Sequence, residues 1–523
     1  MLPHNIMKKS LFLTYLTVSV FTFGVSSATL IVAKSGAAYS SVQAGVTAAQ
    51  SGDTILVRAG TYLEAISINK SGSQASGYIT LLAEPGAILD GTGKGELGIT
   101  IRNQNYIKVI GFEVKNYSGS ATPIGISIQG SSSFLEIRNN TIHNIENTNG
   151  NAHGIAFYGT ASSPISDIIV DGNEIKNCKL GQSESMVFNG NVTNFRVSNN
   201  SVHDNDNIGI DFIGFEGTGP ADLDQAHNGT CFGNHVFNIS SATNPTYNGE
   251  RSADGIYVDG GKDIIIERNS IDNCDIGIEV ASEHGGKTTA GITVRGNFVS
   301  RSYQGNIMIG GYDSNRGNAS NIAIVNNTLF HGVGGEVVLQ FNCNGISIKN
   351  NICVANSGIE YLSASGSNNT AITVDNNLYF GASSGNPGAW SDAHAKYANP
   401  MLINAPTDMH IPNASPAKNN GATLDTAIAG SLDIDGQLRV IDGAIDIGAD
   451  EIGATRVTLQ HDPLINHIHG RILRRAIHCT TVLHGFPLGK PAAFYVLSID
   501  GKCLNIPLKH ASVVVIDQRH FGD

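Results

Sequence analysis

Charged residues are scarce in this chain of 523 residues: they make up 15% of it, and aromatic residues make up 7%. Lysine and arginine number 32 against 44 acidic residues, and no cluster of basic residues appears before the C-terminal tail. Binding to phosphates requires grouped Lys and Arg side chains. We therefore expect no nucleic acid as a partner and, once the N-terminal segment described below is cleaved, no membrane.

Paired cysteines are also lacking. The seven cysteines are scattered, no Cys-x-x-Cys motif occurs, and their number is odd. This pattern fits neither a disulfide framework nor a zinc site. Cys178 and Cys274 each follow an Asn near the start of a turn, so we expect them to be small buried members of a side-chain stack.

Long apolar runs are absent after the N-terminus. There, Lys8 and Lys9 precede an apolar stretch from Leu11 to Val25, and small residues follow as far as Ala28. This order is typical of a secretory signal cleaved after Ala28. A membrane anchor is the alternative, although the stretch is short for spanning a bilayer. We predict a signal peptide over residues 1–28 and a secreted or periplasmic protein.

Glycine, in contrast, is abundant, with 61 residues, and Asn-Asn or Gly-Asn pairs follow short apolar strands every 24 to 35 residues. A variable period of this length is typical of a solenoid whose coils share a core but differ in their loops. Asn tolerates left-handed backbone geometry, and stacked Asn side chains can hydrogen-bond along an axis. The second residues of these pairs are Asn140, Asn173, Asn200, Asn234, Asn297, Asn327, Asn351 and Asn377, and Asn269 takes the same place after Arg268.

Each coil contains short strands with period-2 alternation, as in Ile264 to Glu267, and a further strand that begins mostly with Gly, as at Gly255 and Gly277. Ahead of the coils, Tyr39 to Gln50 has the pattern of a short helix, which would cover the open end of the stack. The sequence therefore predicts an all-β fold, a parallel β-helix (solenoid) with an N-terminal capping helix.

The run from Ser51 to Tyr62, the strand from Ile107 to Val114 and the Asn-Asn coils together resemble the pectate-lyase-like superfamily, over residues 30 to 380. The resemblance implies a right-handed single-stranded parallel β-helix. Proteins of this superfamily include pectate and alginate lyases, glycoside hydrolases, epimerases and structural fibres, so it implies a fold rather than one reaction.

Five regions follow from these patterns. Residues 1–28 are the predicted signal peptide, and 29–130 hold the N-terminal cap and the first coils. Residues 131–380 hold the coils with the expected active site, and 381–452 are a closing segment. The histidine-rich region 453–523 lacks the Asn-Asn pattern, and we interpret it as an atypical tail, disordered or produced by read-through, with a metal-binding or wall-binding tail as the alternative.

Outward-facing side chains of neighbouring coils stack about 4.8 Å apart, so an alignment of the Gly-started strands predicts which of them meet. The position two after Gly holds Ala156, Val187, Asp211, Tyr257, Glu279, Met308 and Val338 in successive coils. Acids are confined to three adjacent coils, where they repel one another unless a cation or a substrate compensates. We therefore expect a functional patch near the middle of the rod.

A lyase is the first interpretation of this patch. The predicted metal ligands, for Ca²⁺, are Asp211, Asp254 and Asp259, since hard oxygen ligands suit that ion. The predicted catalytic residues, among them the base that removes the C5 proton of a uronate, are Arg251, Tyr257, Glu279, His284 and Lys287. The predicted substrate-binding residues are Glu216, Glu283, Tyr312 and Arg316. Calcium-dependent pectate lyases of this fold use a Lys or Arg base beside acidic ligands, which the patch resembles.

Two alternatives to a lyase are also consistent with the acidic patch. In a metal-independent glycoside hydrolase, Asp211 and Glu279 would lie two coils apart, about 9.6 Å, near the upper end of the range for inverting enzymes. Asp259 and Glu283, one coil apart, would suit a retaining mechanism. A non-enzymatic adhesin or glycan-binding rod would instead have a flat, repetitive surface. In every case the expected partner is an extracellular polysaccharide, bound by a monomer.

Overall fold

The structure is a computed structural model in which the chain divides into two units, Met1–Ala454 and Thr455–Asp523. The residues that it describes are 27–147, 149–382, 385–453 and the two strands Phe494–Leu497 and Cys503–Ile506. These two strands belong to the second unit and form an antiparallel pair. All but the last two residues of the predicted signal peptide, and most of the predicted tail, lie outside the described residues.

The first unit is a parallel β-solenoid in which the chain passes through three sheets in the same order in every coil. Sheet 1 has 14 strands: Thr29–Val32, Thr54–Val57, Ile79–Ala83, Ile107–Ile110, Ser133–Arg138, Ile165–Asp171, Val192–Ser198, Ala226–Phe232, Lys262–Glu267, Thr288–Ala290, Thr293–Arg295, Asn318–Val325, Cys343–Lys349 and Thr373–Asp375. Sheet 2 has 13 strands: Gly60–Tyr62, Ala87–Asp90, Glu113–Lys115, Thr141–His143, Glu174–Lys176, Ser201–Asn205, His235–Ile239, Ser270–Asp272, Phe298–Ser300, Thr328–Phe330, Ile352–Val354, Leu378–Phe380 and Lys396–Tyr397. Sheet 3 has 11 strands: Ile66–Ile68, Leu97–Arg102, Ile124–Gln129, His153–Gly159, Met186–Gly190, Ile210–Ile213, Asp254–Asp259, Ile276–Ala281, Gly305–Ile309, Val337–Leu339 and Leu362–Ala364. The predicted all-β parallel solenoid is confirmed.

Among the described residues, helices are few and short. The α-helices are Val42–Ala48 and Thr426–Ala429, and the 3-10 helices are Ser241–Thr243 and Pro245–Tyr247. The helix Val42–Ala48 lies within the range predicted from the sequence, starts at the capping hydroxyl of Ser41, and buries Val42 and Val46 against the first strands. Its role as a cap of the stack stays a prediction. Within the described ranges, no helix has the length and apolar character needed to cross a bilayer.

A ladder of nine buried asparagines lines the bend between sheets 1 and 2, as the sequence predicts. Each side-chain amide donates to the side-chain oxygen of the asparagine in the next coil, and that oxygen also accepts the backbone N–H. The residue before each ladder asparagine has a positive φ, for example 54° at Arg268 and 60° at Gly296, which explains the Asn and Gly preference there. The ladder ends on the carboxylate of Asp392, which accepts two hydrogen bonds from Asn377.

The interior holds stacked apolar side chains from all three sheets. In the middle of the rod the stack is aromatic: Phe157 lies 4.6 Å from Phe188, and Phe195 lies 5.0 Å from Phe212, between ring centroids. Gly229 leaves room for the ring of Phe195, because a Cβ there would come within 1.9 Å of it. Five cysteines, Cys178, Cys231, Cys274, Cys343 and Cys353, are buried and unpaired, which confirms that Cys178 and Cys274 are small core residues.

The closing segment covers one side of the rod near its C-terminal end. Gly448 donates to the backbone oxygen of Asn350, and Ala449 donates to the hydroxyl of Thr328. Arg295 donates to the backbone of the helix Thr426–Ala429, at Ala427. These contacts hold the segment against sheets 1 and 2, and its residues Pro387 and Ala389 also hydrogen-bond with Leu362 in the last strand of sheet 3.

Candidate active site

The predicted outward column exists in the expected register on sheet 3. Its members, in coil order, are Ala156, Val187, Asp211, Tyr257, Glu279, Met308 and Val338. Asp211 lies between two core residues, Ile210 and Phe212, so its side chain leaves the interior. The acids of three neighbouring coils therefore face the same side of the rod.

These outward carboxyl groups are nevertheless buried. Asp211 and Asp254 are each 2% exposed, Asp259 is 5% exposed and Glu279 is 6% exposed. The burial comes from irregular loops between strands, whose packing no period-2 pattern describes. A buried carboxylate without a cation is costly, so this group of acids must bind protons or a cation, or accept a destabilised fold.

Two loops flank the acids, and each is ordered by an aspartate of its own. In the loop after Ile213, Asp224 accepts the backbone N–H groups of Gly217 and Gly219. In the loop that contains both 3-10 helices, Asp275 accepts the hydroxyl of Ser240 and the backbone N–H of Ser241, at 2.8 Å each. These fixed loops close over both ends of the sheet 3 strands.

Asp254 and Glu279 form a buried carboxyl pair. Burial, followed by the charge of Glu279, raises the pKa of Asp254 well above its usual range, and the two side chains are hydrogen-bonded to each other. Burial raises the pKa of Glu279 to about 7. Gln340 Nε2 donates to Glu279 Oε1 at 2.7 Å, which fixes the glutamate. Because a hydrogen bond between two carboxyl groups requires a proton on one of them, the pair holds at least one.

A second group of acids surrounds Asp211. Burial raises the pKa of Asp211, with the charge of Glu184 as the next cause, and burial followed by the charge of Asp211 raises the pKa of Asp259. Glu184 itself has its pKa raised by burial to about 8. Asp211 Oδ1 and Asp254 Oδ1 are buried and have no hydrogen-bond partner among the described residues. Two carboxyl oxygens are thus available to a proton, a cation or a substrate.

Glu283 is a partly buried acid with partners that favour its ionised form. Burial raises its pKa, but the guanidinium of Arg316 and a hydrogen bond from the Tyr257 hydroxyl oppose that shift. Its backbone N–H donates to Asp259 Oδ1 at 2.8 Å, and its backbone oxygen accepts from Arg316 Nη1 at 3.1 Å. Burial raises the pKa of Tyr257 well above its usual range, and a phenol that keeps its proton this firmly is a poor base.

Glu216, Asp259 and His284 offer one ligand atom each within 4.8 Å of one another. His284 Nε2 lies 3.0 Å from Glu216 Oε1. The structure thus brings one predicted calcium ligand, Asp259, together with two other predicted site residues. The predicted trio Asp211, Asp254 and Asp259 does not form such a set in the described part of the chain, and calcium binding stays a prediction.

The basic and aromatic candidates are more dispersed. Tyr312 and Arg316 stack on each other beside Glu283, as expected for the flank. Lys287 is exposed, with Nζ 5.0 Å from the centre of the Phe215 ring. Arg251 does not join the acids: its guanidinium lies over the ring of Tyr303 at the corner between sheets 2 and 3. The expectation that Arg251 belongs to the acidic patch is corrected, because its loop turns the side chain toward that corner.

Three polar residues near the acids were not predicted. Glu184 precedes Met186 by two residues as Asp254 precedes Ile256, and Met186 and Ile256 occupy the same strand position, so the alignment could have found it. His153 is buried, and burial lowers its pKa to about 4.

The ring of His153 is held from both sides. The Nδ1 of His153 lies 3.0 Å from the backbone oxygen of Glu184 and 3.4 Å from its carboxylate, and its Nε2 lies 2.7 Å from the Tyr158 hydroxyl. The neutral ring donates to Glu184 and accepts from Tyr158, which positions Glu184 at the edge of the acidic group. The third unpredicted residue, Gln340, comes from a coil beyond the three that carry acids.

Residues 97–316 match the family described as right handed beta helix region. The uncharacterized protein YwoF of Bacillus subtilis (strain 168) is 35% identical over 347 residues, which are 63% of this chain and 74% of YwoF. The match to the family model confirms the right-handed β-helix.

Solved structures with the same fold include polysaccharide lyases. Pectate lyase Pel9A is 14% identical, with a TM-score of 0.44, over 82% of this chain and 97% of its own. The PL6 family alginate lyase AlyGC is 13% identical, with a TM-score of 0.39, over 72% of this chain and 54% of its own. At such identities and TM-scores, neither likeness bears on the activity of this chain.

Proposed function

The chain belongs to the family of right-handed β-helix proteins that contains YwoF, and from this premise we propose that it is an enzyme that cleaves a polysaccharide. The observation that carries the proposal is the group of buried carboxyl groups on the outer face of sheet 3, with two unpartnered oxygens, Asp211 Oδ1 and Asp254 Oδ1. Such a group lowers stability, and strongly perturbed carboxyl groups of this kind occur mainly at functional sites.

Hydrolysis by acid and base catalysis fits these groups best. A general acid must hold a proton at neutral pH, and the pair Asp254 and Glu279 shares one, with the pKa of Glu279 raised by burial to about 7. A general base must be ionised, and Glu283 has both Arg316 and the Tyr257 hydroxyl to stabilise its charge. The two roles thus fall to carboxyl groups in different electrostatic surroundings.

The step is balanced by these two groups. The Asp254–Glu279 pair gives its proton to the glycosidic oxygen as the bond from that oxygen to the anomeric carbon breaks. Glu283 takes a proton from the water whose oxygen forms the new bond to the same carbon. Tyr257 lies in register between Asp211 and Glu279 and orients Glu283 through its hydroxyl. Buried carboxyl groups in this arrangement need no basic side chain at the reacting carbon.

Calcium-assisted β-elimination is the second candidate. The same two unpartnered oxygens, Asp211 Oδ1 and Asp254 Oδ1, would suit a hard cation, and Asp259 lies beside Asp211. When bound, Ca²⁺ would neutralise a uronate carboxylate and acidify the proton next to it. Of the bases expected for that reaction, His284 and Lys287 remain beside the acids, whereas Arg251 lies at the other corner.

The two reactions give different products. The purified chain would be incubated with a panel of neutral and uronate-containing polysaccharides, with and without a chelator, and reducing ends and the ultraviolet absorbance of unsaturated uronates would be followed. We expect reducing ends without that absorbance, and no effect of the chelator. Absorbance that the chelator abolishes would overturn hydrolysis in favour of the lyase, and binding without any product would overturn both and leave a glycan-binding rod.

Substitutions test the roles. Glu279→Gln and Glu283→Gln remove the proposed acid and base with little change of volume, so each should lower the rate by about 100-fold or more. Glu113→Gln is the matched control, because Glu113 is an acid on the outer face of sheet 2 that pairs with Lys115. The assignment is wrong if the control and the two site variants lose activity to the same extent.

A further inference from the structure

Three side chains of the closing segment bring metal-binding groups together, apart from the acids of sheet 3. His410, Asp435 and Asp450 each offer one ligand atom, and these atoms lie within 4.8 Å of one another. His410 Nε2 lies 3.2 Å from Asp435 Oδ2. Two ligands of a tetrahedral Zn²⁺ ion with bonds of about 2.1 Å lie about 3.4 Å apart, so this spacing is close to that of two ligands of one ion.

The hydrogen bond at the other ring nitrogen of His410 leaves Nε2 free for a ligand. Nδ1 lies 2.6 Å from Asp408 Oδ1, and it is the ring that donates there, because an ionised carboxylate only accepts. In the neutral ring, Nε2 then has a free lone pair. Metal-binding histidines are commonly oriented in this way, by a carboxylate that accepts the N–H of the nitrogen that does not bind the ion.

His410 Nε2 is buried and has no hydrogen-bond partner among the described residues. Asp435 Oδ2 is near enough to accept, but it lies off the direction in which a proton on Nε2 would point. Asp450 is 7% exposed, and its Oδ2 accepts the backbone N–H of Ile411 at 2.9 Å, which fixes the carboxylate. Because a buried polar atom without a partner is costly, a cation in front of the ring would stabilise this arrangement.

Each of the three ligands directly follows an apolar residue of one hydrophobic cluster, which includes Phe298 of sheet 2. These preceding residues are Met409, Ile434 and Ala449. The ring of His410 itself meets the ring of Phe298 edge-on, with the ring centroids 5.1 Å apart. The ligands therefore come from three separate parts of the closing segment, and packing against the rod sets the position of each part.

The backbone around two of the ligands is also fixed without an ion. Asp433 Oδ1 accepts the backbone N–H groups of Asp435 and Gln437. Arg439 donates to the backbone oxygens of the two residues Ala449 and Asp450. Ligands that are held in place before binding lose little conformational freedom when the ion binds, which favours affinity.

The kinds of ligand atom favour a divalent transition metal over calcium. An imidazole nitrogen with carboxylate oxygens suits Zn²⁺, which often takes three protein ligands and a water, whereas Ca²⁺ takes about six to eight oxygen ligands. The side chains of His410 and Asp435 are 30% and 39% exposed. A water molecule can therefore reach the fourth position from the solvent.

We propose that His410, Asp435 and Asp450 bind one Zn²⁺ ion, which holds the closing segment in its folded form. Because the ligands come from separate parts of the chain, the ion binds the folded protein more tightly than the unfolded chain, and stability rises with the concentration of free Zn²⁺. The site is structural, since its residues lie in the closing segment and not among the acids of the proposed active site.

The test uses the full chain, stripped of metal with a chelator and dialysed, with ZnCl₂ as the probe. Calorimetric titration and thermal unfolding would be measured for the wild type and its variants. We expect the wild type to bind one equivalent more than His410→Gln, and to melt about 2–3 °C higher at a hundredfold excess of Zn²⁺ over the Kd. His410→Gln and Asp435→Asn should lose this rise. Asp408→Ala acts through His410 and should weaken binding about 10- to 100-fold.

His394→Gln is the matched control. His394 Nδ1 also lies 2.6 Å from a carboxylate oxygen, Asp375 Oδ1, but His394 belongs to no group of metal-binding atoms in the described part of the chain. This variant should bind Zn²⁺ and melt as the wild type does. The histidines of region 453–523 are present in every sample, so any Zn²⁺ that they bind is common to all of them.

Two results would overturn the proposal. A rise in melting temperature that persists in both His410→Gln and Asp435→Asn would mean that the ion binds elsewhere. A wild type that does not respond to Zn²⁺, or responds to CaCl₂ alone, would mean that His410 is a protonated ring paired with its aspartates. Asp435 is exposed, so Asp435→Asn should melt as the wild type does in chelator and serves as the test if His410→Gln does not fold.

Discussion

Glu279→Gln should stabilise the fold while it abolishes activity. The side chain is buried, keeps nearly the same shape as an amide, and its oxygen can still accept the hydrogen bond from Gln340. What the substitution removes is the charge that appears when the carboxyl group loses its proton. Because burial opposes that charge, the folded protein is less stable with Glu279 than with a neutral group of the same size once the pH exceeds the pKa of the unfolded chain.

The expected gain in stability of the Glu279→Gln variant follows from the pKa of Glu279. Burial raises the pKa of Glu279 from 4.5 to about 7, and each unit corresponds to about 1.4 kcal/mol. A carboxyl group with a raised folded-state pKa contributes its full stability below the unfolded pKa and loses it as the pH rises to the folded pKa. As the pH rises from 4.5 to 7, Glu279 should therefore lower the free energy of unfolding of the wild type by at most about 3 kcal/mol. The Glu279→Gln variant should not show this loss.

Denaturant unfolding followed by circular dichroism at several pH values would measure this. The difference between Glu279→Gln and the wild type should be near zero at pH 4.5 and should grow up to pH 7. Glu113→Gln should change the unfolding free energy by less than about 1 kcal/mol, since it weakens only surface contacts, the ion pair with Lys115 and the contact with His143. The reasoning would be refuted if the variant were less stable than the wild type at every pH and its unfolding free energy depended on pH as that of the wild type does. Glu279 would then be part of a stabilising network.

Four further predictions concern the site and its scaffold. Asp254→Asn removes the second carboxyl group of the proposed acid pair and should lower kcat by about 100-fold or more without lowering the melting temperature, and a large fall in that temperature would mark Asp254 as structural. The pH profile of kcat/KM should fall as the pH rises through about 7, where Glu279 loses its proton, and a flat profile would contradict the acid role. Asn269→Ala removes a buried ladder amide and should lower the unfolding free energy by about 2–4 kcal/mol in denaturant. Gly229→Ala places a methyl group against the Phe195 ring and should cost about 1–3 kcal/mol in the same assay, whereas an unchanged midpoint would mean that the ring moves freely.

The architecture and the register of the outward column could be predicted from the sequence because both depend on short-range rules. Asn269 and its equivalents require a preceding residue with positive φ, so the Asn-Asn and Gly-Asn pairs mark the same bend in every coil. The inward residue after each sheet 3 glycine then fixes the side on which Asp211 and Glu279 emerge, since side chains alternate along a strand. A one-residue slip would have turned both acids into the core.

The environment of the site could not be predicted, because it depends on loops of irregular length. Arg251 lies only three residues from Asp254, yet its side chain lies over Tyr303 at the corner between sheets 2 and 3, and no periodicity in the loop indicates this. The same loops bury Asp211 and Asp254, which converts an expected acidic surface into a group with raised pKa values. Glu184 occupies the strand position of Asp254 two coils away, and its contact with His153 depends on a fold that the alignment alone does not describe.

The interior behind the acids helps to explain how the fold tolerates them. Asp211 emerges from the strand that also holds Phe212, and Phe212 stacks within 5.3 Å of Phe188 and 5.0 Å of Phe195. Such aromatic pairs contribute about 0.5–1.5 kcal/mol each beyond the burial of their surface. The Asn ladder adds buried hydrogen bonds through the same coils on the far side of the core. The stabilising contacts of these coils therefore lie inside the rod and the destabilising carboxyl groups lie outside it, so that the acids can be held in fixed positions by a scaffold that does not depend on them.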